Sequence, residues 1–249
     1  MKKIWVFLAL ILLSACQSTK VSYLNTKELQ SNYPRIMAFN PRMEKGLEMH
    51  DDILKTIIEP KLKAELEAKG FQFVPAERFY EIHTQLRKAE TNLFDPVTGQ
   101  RDEVRSNEIW QQALQQAKAE LNIDAFVYYG FSVRTARFSN DFTKMYVATW
   151  DGQEESALSD GVGAGKVLGA FFVQTNGTLP GLSVFVQFEN EYGKTISFGA
   201  GGIELLAQFN NNKDVVYKDV NTVLQNHQHI NIALERALLQ IDNQKGKGK

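Results

Sequence analysis

Apolar positions recur along this chain with two different periods, and the change from one to the other divides it. Leu47, Leu54, Ile58, Leu62 and Leu66 fall at the spacing of one helix face, which stops at Lys69-Gly70. Pro60 lies inside that stretch. It either kinks the helix or starts its second half, because it has no N–H to donate and clashes with the preceding turn. Phe79, Ile82, His83 and Leu86 mark a second helix, and Trp110, Ala113, Leu114, Ala117 and Leu121 a third. Short strands are expected at 35–40, between Pro34 and Pro41, and at 71–74, before Pro75.

From Asp124 the period changes. Residues 125–131 form a nearly continuous aromatic and β-branched run, as in a strand covered on both faces, and the pattern then alternates through 133–138. Further strands are expected at 145–150, 167–174, 182–188 and 195–200. The last two flank a hairpin loop at 189–193, and Gly199, Gly201 and Gly202 mark a bulge. Val216, Val220, Val223, His227, Ile230, Leu234, Leu238 and Ile241 then follow steps of three and four, predicting one long C-terminal helix. The expected fold is α/β (mixed α+β). It is a single domain over 34–241 whose mixed, largely antiparallel sheet is flanked by helices and closed by that helix, with a disordered tail over 242–249.

The first residues have a different pattern. Lys2 and Lys3 precede an unbroken apolar run from Ile4 to Leu13, and the small residues Ser14 and Ala15 follow. This is the layout of a secretory signal peptide over 1–15, too short to span a bilayer, which takes about 20 residues. Leu13-Ser14-Ala15-Cys16 resembles the bacterial lipobox. That resemblance implies cleavage before Cys16 and acylation of its sulfur, with palmitate-type chains as the anchor, and residues 16–33 then serve as a polar tether. Gln17 after the cysteine points to the outer membrane rather than the inner one, with the domain in the periplasm. Two or more chains are needed for stable attachment, at about 0.8 kcal/mol per buried CH2.

The order of elements, with Gly70-Phe71 opening one strand and Asp124-Ala125 another, resembles the periplasmic domains of curli-secretion (CsgG-type) and penicillin-binding-protein-activator (LpoB-type) lipoproteins. The likeness runs over 34–241 in pattern and implies an α/β fold; it carries no site residues with it.

Composition narrows the chemistry. The chain has a single cysteine, so acylation of Cys16 leaves no thiol for a disulfide, a metal site or a nucleophile. It has 28 basic and 29 acidic residues; removing the leader takes Lys2 and Lys3 away and leaves a mildly acidic body, which argues against nucleic acid as a partner. Gly161-Val162-Gly163-Ala164-Gly165-Lys166 is not a phosphate loop, since Asp160 and Val167 stand where a glycine and a hydroxyl are required. His227 and His229, two apart, diverge on a helix and read as non-ligands, with His227 partly buried on the apolar stripe. His50 with Asp51 and Asp52 reads as a helix start, and His83 as packing. Residues 95–102 read as a turn built on Pro96 and Gly99 rather than a calcium loop. No metal site and no cofactor is expected.

The remaining chemistry is an acidic loop, Asp151, Glu154, Glu155 and Asp160, which is able to supply paired carboxylates. The aromatics Phe126, Tyr128, Tyr129, Phe131, Phe138, Phe142, Tyr146 and Trp150 read as sheet core. Three functions stay open. The first is a non-catalytic, membrane-anchored accessory module in envelope assembly or transport, with an envelope protein or a second copy as its partner. The second is a tethered glycan- or lipid-modifying enzyme using the acidic loop. The third is a binder of small hydrophobic ligands.

Overall fold

The computed structural model describes residues 23–39, 46–140, 145–159, 176–210, 212 and 214–245. The leader, Cys16, the first part of the tether, Asn40, Phe142, Asp160, the glycine-rich stretch, the strand expected at 167–174 and residues 246–249 lie outside them.

The described residues begin inside what the sequence assigns to the tether. Asn25 caps α1 (Thr26–Asn32) through a capping box: its side chain accepts from the Glu28 N–H, and the Glu28 carboxylate accepts from the Asn25 N–H. Leu29 is fully buried, and the Leu24 N–H donates to the carbonyl of Ile196. Residues 24–33 are therefore part of the domain.

β1 (Arg35–Ala38) follows, then a 3₁₀ turn at Glu48–His50, α2 (Asp51–Ile53), a π-helical turn at Leu54–Ile58 and α3 (Glu59–Ala68). Pro60 sits in the first turn of α3, so it starts the second half of the helix. The widened turn ahead of it accommodates the bond that Pro60 cannot donate. All five apolar positions of that stripe are buried. β2 (Gln72–Phe73), α4 (Glu77–Ala89) and α5 (Glu103–Leu121) complete the first part. The Arg35 guanidinium donates to the carbonyls of Leu121 and Asn122, where α5 ends in a left-handed residue, and so locks α5 to the start of β1.

The spine of the molecule is β3 (Ala125–Asn140). One of its edges pairs along its length with β6 (Asn176–Glu189), antiparallel. The other edge pairs first with β1, parallel, and at its far end with β4 (Met145–Trp150), antiparallel. β2 adds to β1, β5 (Gln153–Ser156) to β4, and β7 (Thr195–Leu205) to β6, giving seven strands. A small ribbon of β8 (Ala207–Phe209) and β9 (Val215–Tyr217) follows, then α6 (Val220–Leu224) and α7 (His227–Asp242). The fold is thus mixed α+β, with a mixed, largely antiparallel sheet and a long helix last in the described chain.

The single long helix read from Val216 onward is not formed. Val216 lies in β9, exposed and paired with Gln208, and Val220 and Val223 belong to α6. Asp219 and Asn226 each accept from a backbone N–H two or three residues on, so each caps a separate helix and resets the phase. His227, first residue of α7, is exposed rather than partly buried. Nor do residues 242–245 belong to a tail. Asp242 ends α7, and the Gln244 side chain accepts from the Ser197 hydroxyl and donates to the Phe198 carbonyl.

Three cores follow from this layout. On one face of the first half of β3, Ala125, Val127, Tyr129 and Phe131 pack with α3 and α7; on the other, Phe126 and Tyr128 pack with α4 and α5. Beyond Gly130 the sheet curls. Phe138, Tyr146, Ala148, Trp150, Leu179 and Leu205 fill its inside. Apart from Phe142, which lies outside the described residues, the aromatics of 126–150 are therefore core residues, as expected, but of three cores. The glycines of β7 allow close packing: a Cβ on Gly201 would stand 1.8 Å from the Ala233 carbonyl oxygen of α7. The register of β7 shifts twice, at Ile203 between the Leu182 and Ser183 pairings, beside Gly202, and at Ile196 between the Phe188 and Glu189 pairings. The open edge of β7 is covered as well, with the Gln240 side chain accepting from the Ala200 N–H and Arg236 donating to the Gly202 carbonyl.

Candidate functional site

β1, β2 and β3 run parallel in the order β2-β1-β3. The connection from β1 to β2 crosses one face through α3, and that from β2 to β3 crosses the other through α4 and α5. Such a reversal leaves a crevice beyond the carboxyl ends of the strands, because the two crossovers part there. A crevice of about 480 Å³ opens at this place. Its floor is Ala38, Phe39, Phe73 and Val74. One wall is Glu59, Leu62 and Lys63 at the start of α3, the other Ala76, Glu77 and Tyr80 at the start of α4. Pro75 ends β2 and turns the chain into that second wall.

The lining mixes charge with aromatic surface. Glu59 accepts a 2.6 Å hydrogen bond from the Tyr129 hydroxyl, which rises from the core of β3. Burial, and then that bond and the charge of Glu59, push Tyr129 far above the ordinary tyrosine range, so it stays a donor. Lys63 holds its ammonium 5.8 Å from the ring centroid of Phe73. Phe39 supports the floor: its ring lies 4.4 Å from that of Phe79 and 5.4 Å from those of Trp110 and Phe126. A rigid aromatic base with carboxylates and an ammonium at the rim suits a ligand with both apolar and charged groups.

The acidic stretch has a different structure from the expected loop. Asp151 is in a turn with φ 41°, and residues 153–156 are strand β5, so Glu154 and Glu155 point to opposite faces. Asp151 accepts from the Ser183 hydroxyl at 2.8 Å and lies 3.7 Å from Arg134. Glu155 accepts from the Leu205 N–H at 2.7 Å, from Gln208 at 3.2 Å and from Lys218 at 3.0 Å. Lys218 also donates to Glu204 at 2.6 Å, and His229 Nδ1 lies 3.5 Å from the second oxygen of Glu204. Burial raises Glu155 more than its partners lower it. Burial alone would lower Lys218, but its bonds to Glu204 and Glu155 outweigh that and raise it. These groups join β5 to β7 and β9. Asp160 lies outside the described residues.

The remaining candidates have structural surroundings. His83 stacks on Phe79 with ring planes 4° apart and meets Trp110 edge-on; burial, then Arg87 and Arg101, hold it below the usual imidazole range. His50 is buried in the 3₁₀ turn, and Asp51 pairs with Lys55 at 2.5 Å. Asp95 accepts from the N–H groups of Val97 and Thr98 and closes its own turn. Among the described residues no three His, Cys, Asp or Glu side chains gather as metal ligands, and no helix is long and apolar enough to cross a membrane.

The sequence reading missed Glu59, Lys63 and Tyr80. They lie at helix starts with ordinary spacing, and only the strand order brings them together. The one local signal is Pro60, which fixes where α3 begins. No protein-family model matches the chain, and no curated protein matches it in sequence.

Proposed function

We propose that this chain is a lipid-anchored module of the bacterial envelope that binds a protein partner at the crevice between α3 and α4 and catalyses no reaction. The observation that carries the binding role is the crevice: a built, mixed-polarity recess at the strand ends, with a rigid aromatic floor. The location rests on the leader and on Leu13-Ser14-Ala15-Cys16. The acidic stretch supports the non-catalytic half of the reading, because Asp151 and Glu155 are engaged in joining strands. A protein side chain or short segment fits this lining better than a wholly apolar ligand, since Lys63 and Glu77 would lose water to the latter and gain no polar partner, and Glu59 would keep only the Tyr129 hydroxyl.

The test is site-specific photo-crosslinking in native membranes with the full acylated protein. A photoreactive residue at Tyr80 is expected to give a discrete protein adduct that Lys63→Glu abolishes, while one at the exposed Thr149 gives none. Adducts of equal yield from both positions, or none from Tyr80, would rule the crevice out as the partner site.

A further inference from the structure

We infer that the rim formed by Lys27, Lys69 and Lys245 lies against the bilayer that holds Cys16 and binds its anionic phospholipid headgroups. This rests on the acylation of Cys16 proposed above. The chain entering the domain and the chain leaving α7 meet at one place. The Asn25 side-chain amide donates to the Gln244 carbonyl, and the Ser197 hydroxyl lies between the Leu24 carbonyl and the Gln244 side-chain oxygen, with one proton to share between them. From Cys16 to Leu24 the chain reaches at most about 29 Å, even fully extended. The rim therefore stays near the membrane however the domain turns. Encounter with the surface becomes intramolecular, and a modest basic patch is enough to hold it.

The rim has the chemistry for that contact. A groove of about 630 Å³ is lined by Asn25, Thr26, Lys27, Gln30, Lys69 and Asp242. Asp242 is occupied within it, accepting from Lys69 at 2.7 Å and from the Thr26 hydroxyl. Glu28 is turned to its capping bond. Lys27 and Lys245 are exposed. Among the described residues of the rim, Lys27, Lys69 and Lys245 thus stand against Glu28 and Asp242, although the chain as a whole is near neutral. Each lysine brought to an anionic surface strengthens attachment roughly fivefold, and only within about a Debye length. The crevice is at the other end of α3 from Lys69, about 15 Å along the helix, so the contact leaves it open to a partner.

Because Cys16 is the only cysteine, an introduced thiol can be labelled alone in the acylated protein. A fluorophore at Asn243→Cys, read in vesicles containing spin-labelled lipid, is expected to be quenched severalfold more when phosphatidylglycerol is added to phosphatidylcholine. One at Thr149→Cys is expected to show no such change. Lys27→Gln with Lys245→Gln, which keeps the Lys69–Asp242 pair, should remove most of the gain, and adding Lys69→Gln the rest. Quenching at position 243 that ignores lipid charge, or that survives the triple substitution, overturns the inference. Mass spectrometry of the same sample reads the acyl chains on Cys16. Their absence counts against the proposed function; charge-independent quenching with them present counts against this inference alone.

Discussion

The two halves of β3 solve the same problem in opposite ways. From Ala125 to Phe131 every residue is buried, because helices cover both faces of the sheet. From Val133 onward one face is open: Val133 is 41% exposed, while Ala136 and Phe138 turn inward to a core that the sheet makes by curling on itself. The first half needs partners distant in the sequence to be buried. The second is buried by strands alone, β4, β6, β7 and β8, and closed by Trp150, whose indole N–H donates to the Leu182 carbonyl. The crevice and the lysine rim both belong to the helix-covered half, where rigid elements converge. The recess of the curled half, about 630 Å³ beside Arg137, Phe138, Val147 and Thr149, is walled by strands alone.

Glycine substitutions test that difference most strongly. In the covered half, Gly201→Ala places a Cβ 1.8 Å from the backbone oxygen of Ala233, and α7 must move as a body. A loss of about 3 kcal/mol is expected, read by urea unfolding. In the curled half, Gly181→Ala meets the Trp150 ring at 2.6 Å. That obstacle is a side chain, so Trp150→Leu should recover much of the loss for Gly181→Ala, whereas no single side-chain change should rescue Gly201→Ala. Rescue of both, or of neither, would show that the two halves are not distinct in this way.

The same contrast explains what the sequence disclosed. A strand buried on both faces produces an apolar run and a strand buried on one face produces alternation, so the two halves of β3 and their helical stripes were legible. The α6–α7 break was not. Val216, Val220 and Val223 happen to continue the spacing of α7, and only the capping bonds of Asp219 and Asn226 reveal that three elements share one pattern. The acidic stretch misled for a related reason. Gln153-Glu154-Glu155-Ser156 has no apolar alternation because β5 buries a carboxylate held by Leu205, Gln208 and Lys218 rather than a hydrocarbon. The crevice was illegible because its walls come from strand order, which no local pattern encodes.

Glu155 gives the next largest effect. Glu155→Ala leaves the Leu205 N–H without its acceptor at the seam between β5 and β7. A cost of about 2 kcal/mol is expected. Hydrogen exchange should speed up first in β5 and β8, and α4 and α5 should be unaffected if the curled half opens as its own unit. Simultaneous loss of protection in both halves would show that the cores are one cooperative body.

The smallest effect is at the border of the site. Tyr129→Phe removes only the donor to Glu59 and is expected to cost about 1 kcal/mol at neutral pH. Its pH dependence is more telling than its size. The unfolded chain ionises this tyrosine near the ordinary phenol value of 10.0, whereas burial keeps it protonated in the folded chain. The contribution is therefore complete below pH 10 and is lost as pH rises beyond it, by up to about 1.4 kcal/mol per unit. The variant has no such group to titrate. Urea midpoints of the two proteins should converge above pH 10 and then cross. Parallel midpoints through that range would mean that the Tyr129 hydroxyl reaches solvent, and that the crevice floor is looser than its hydrogen bond to Glu59 implies.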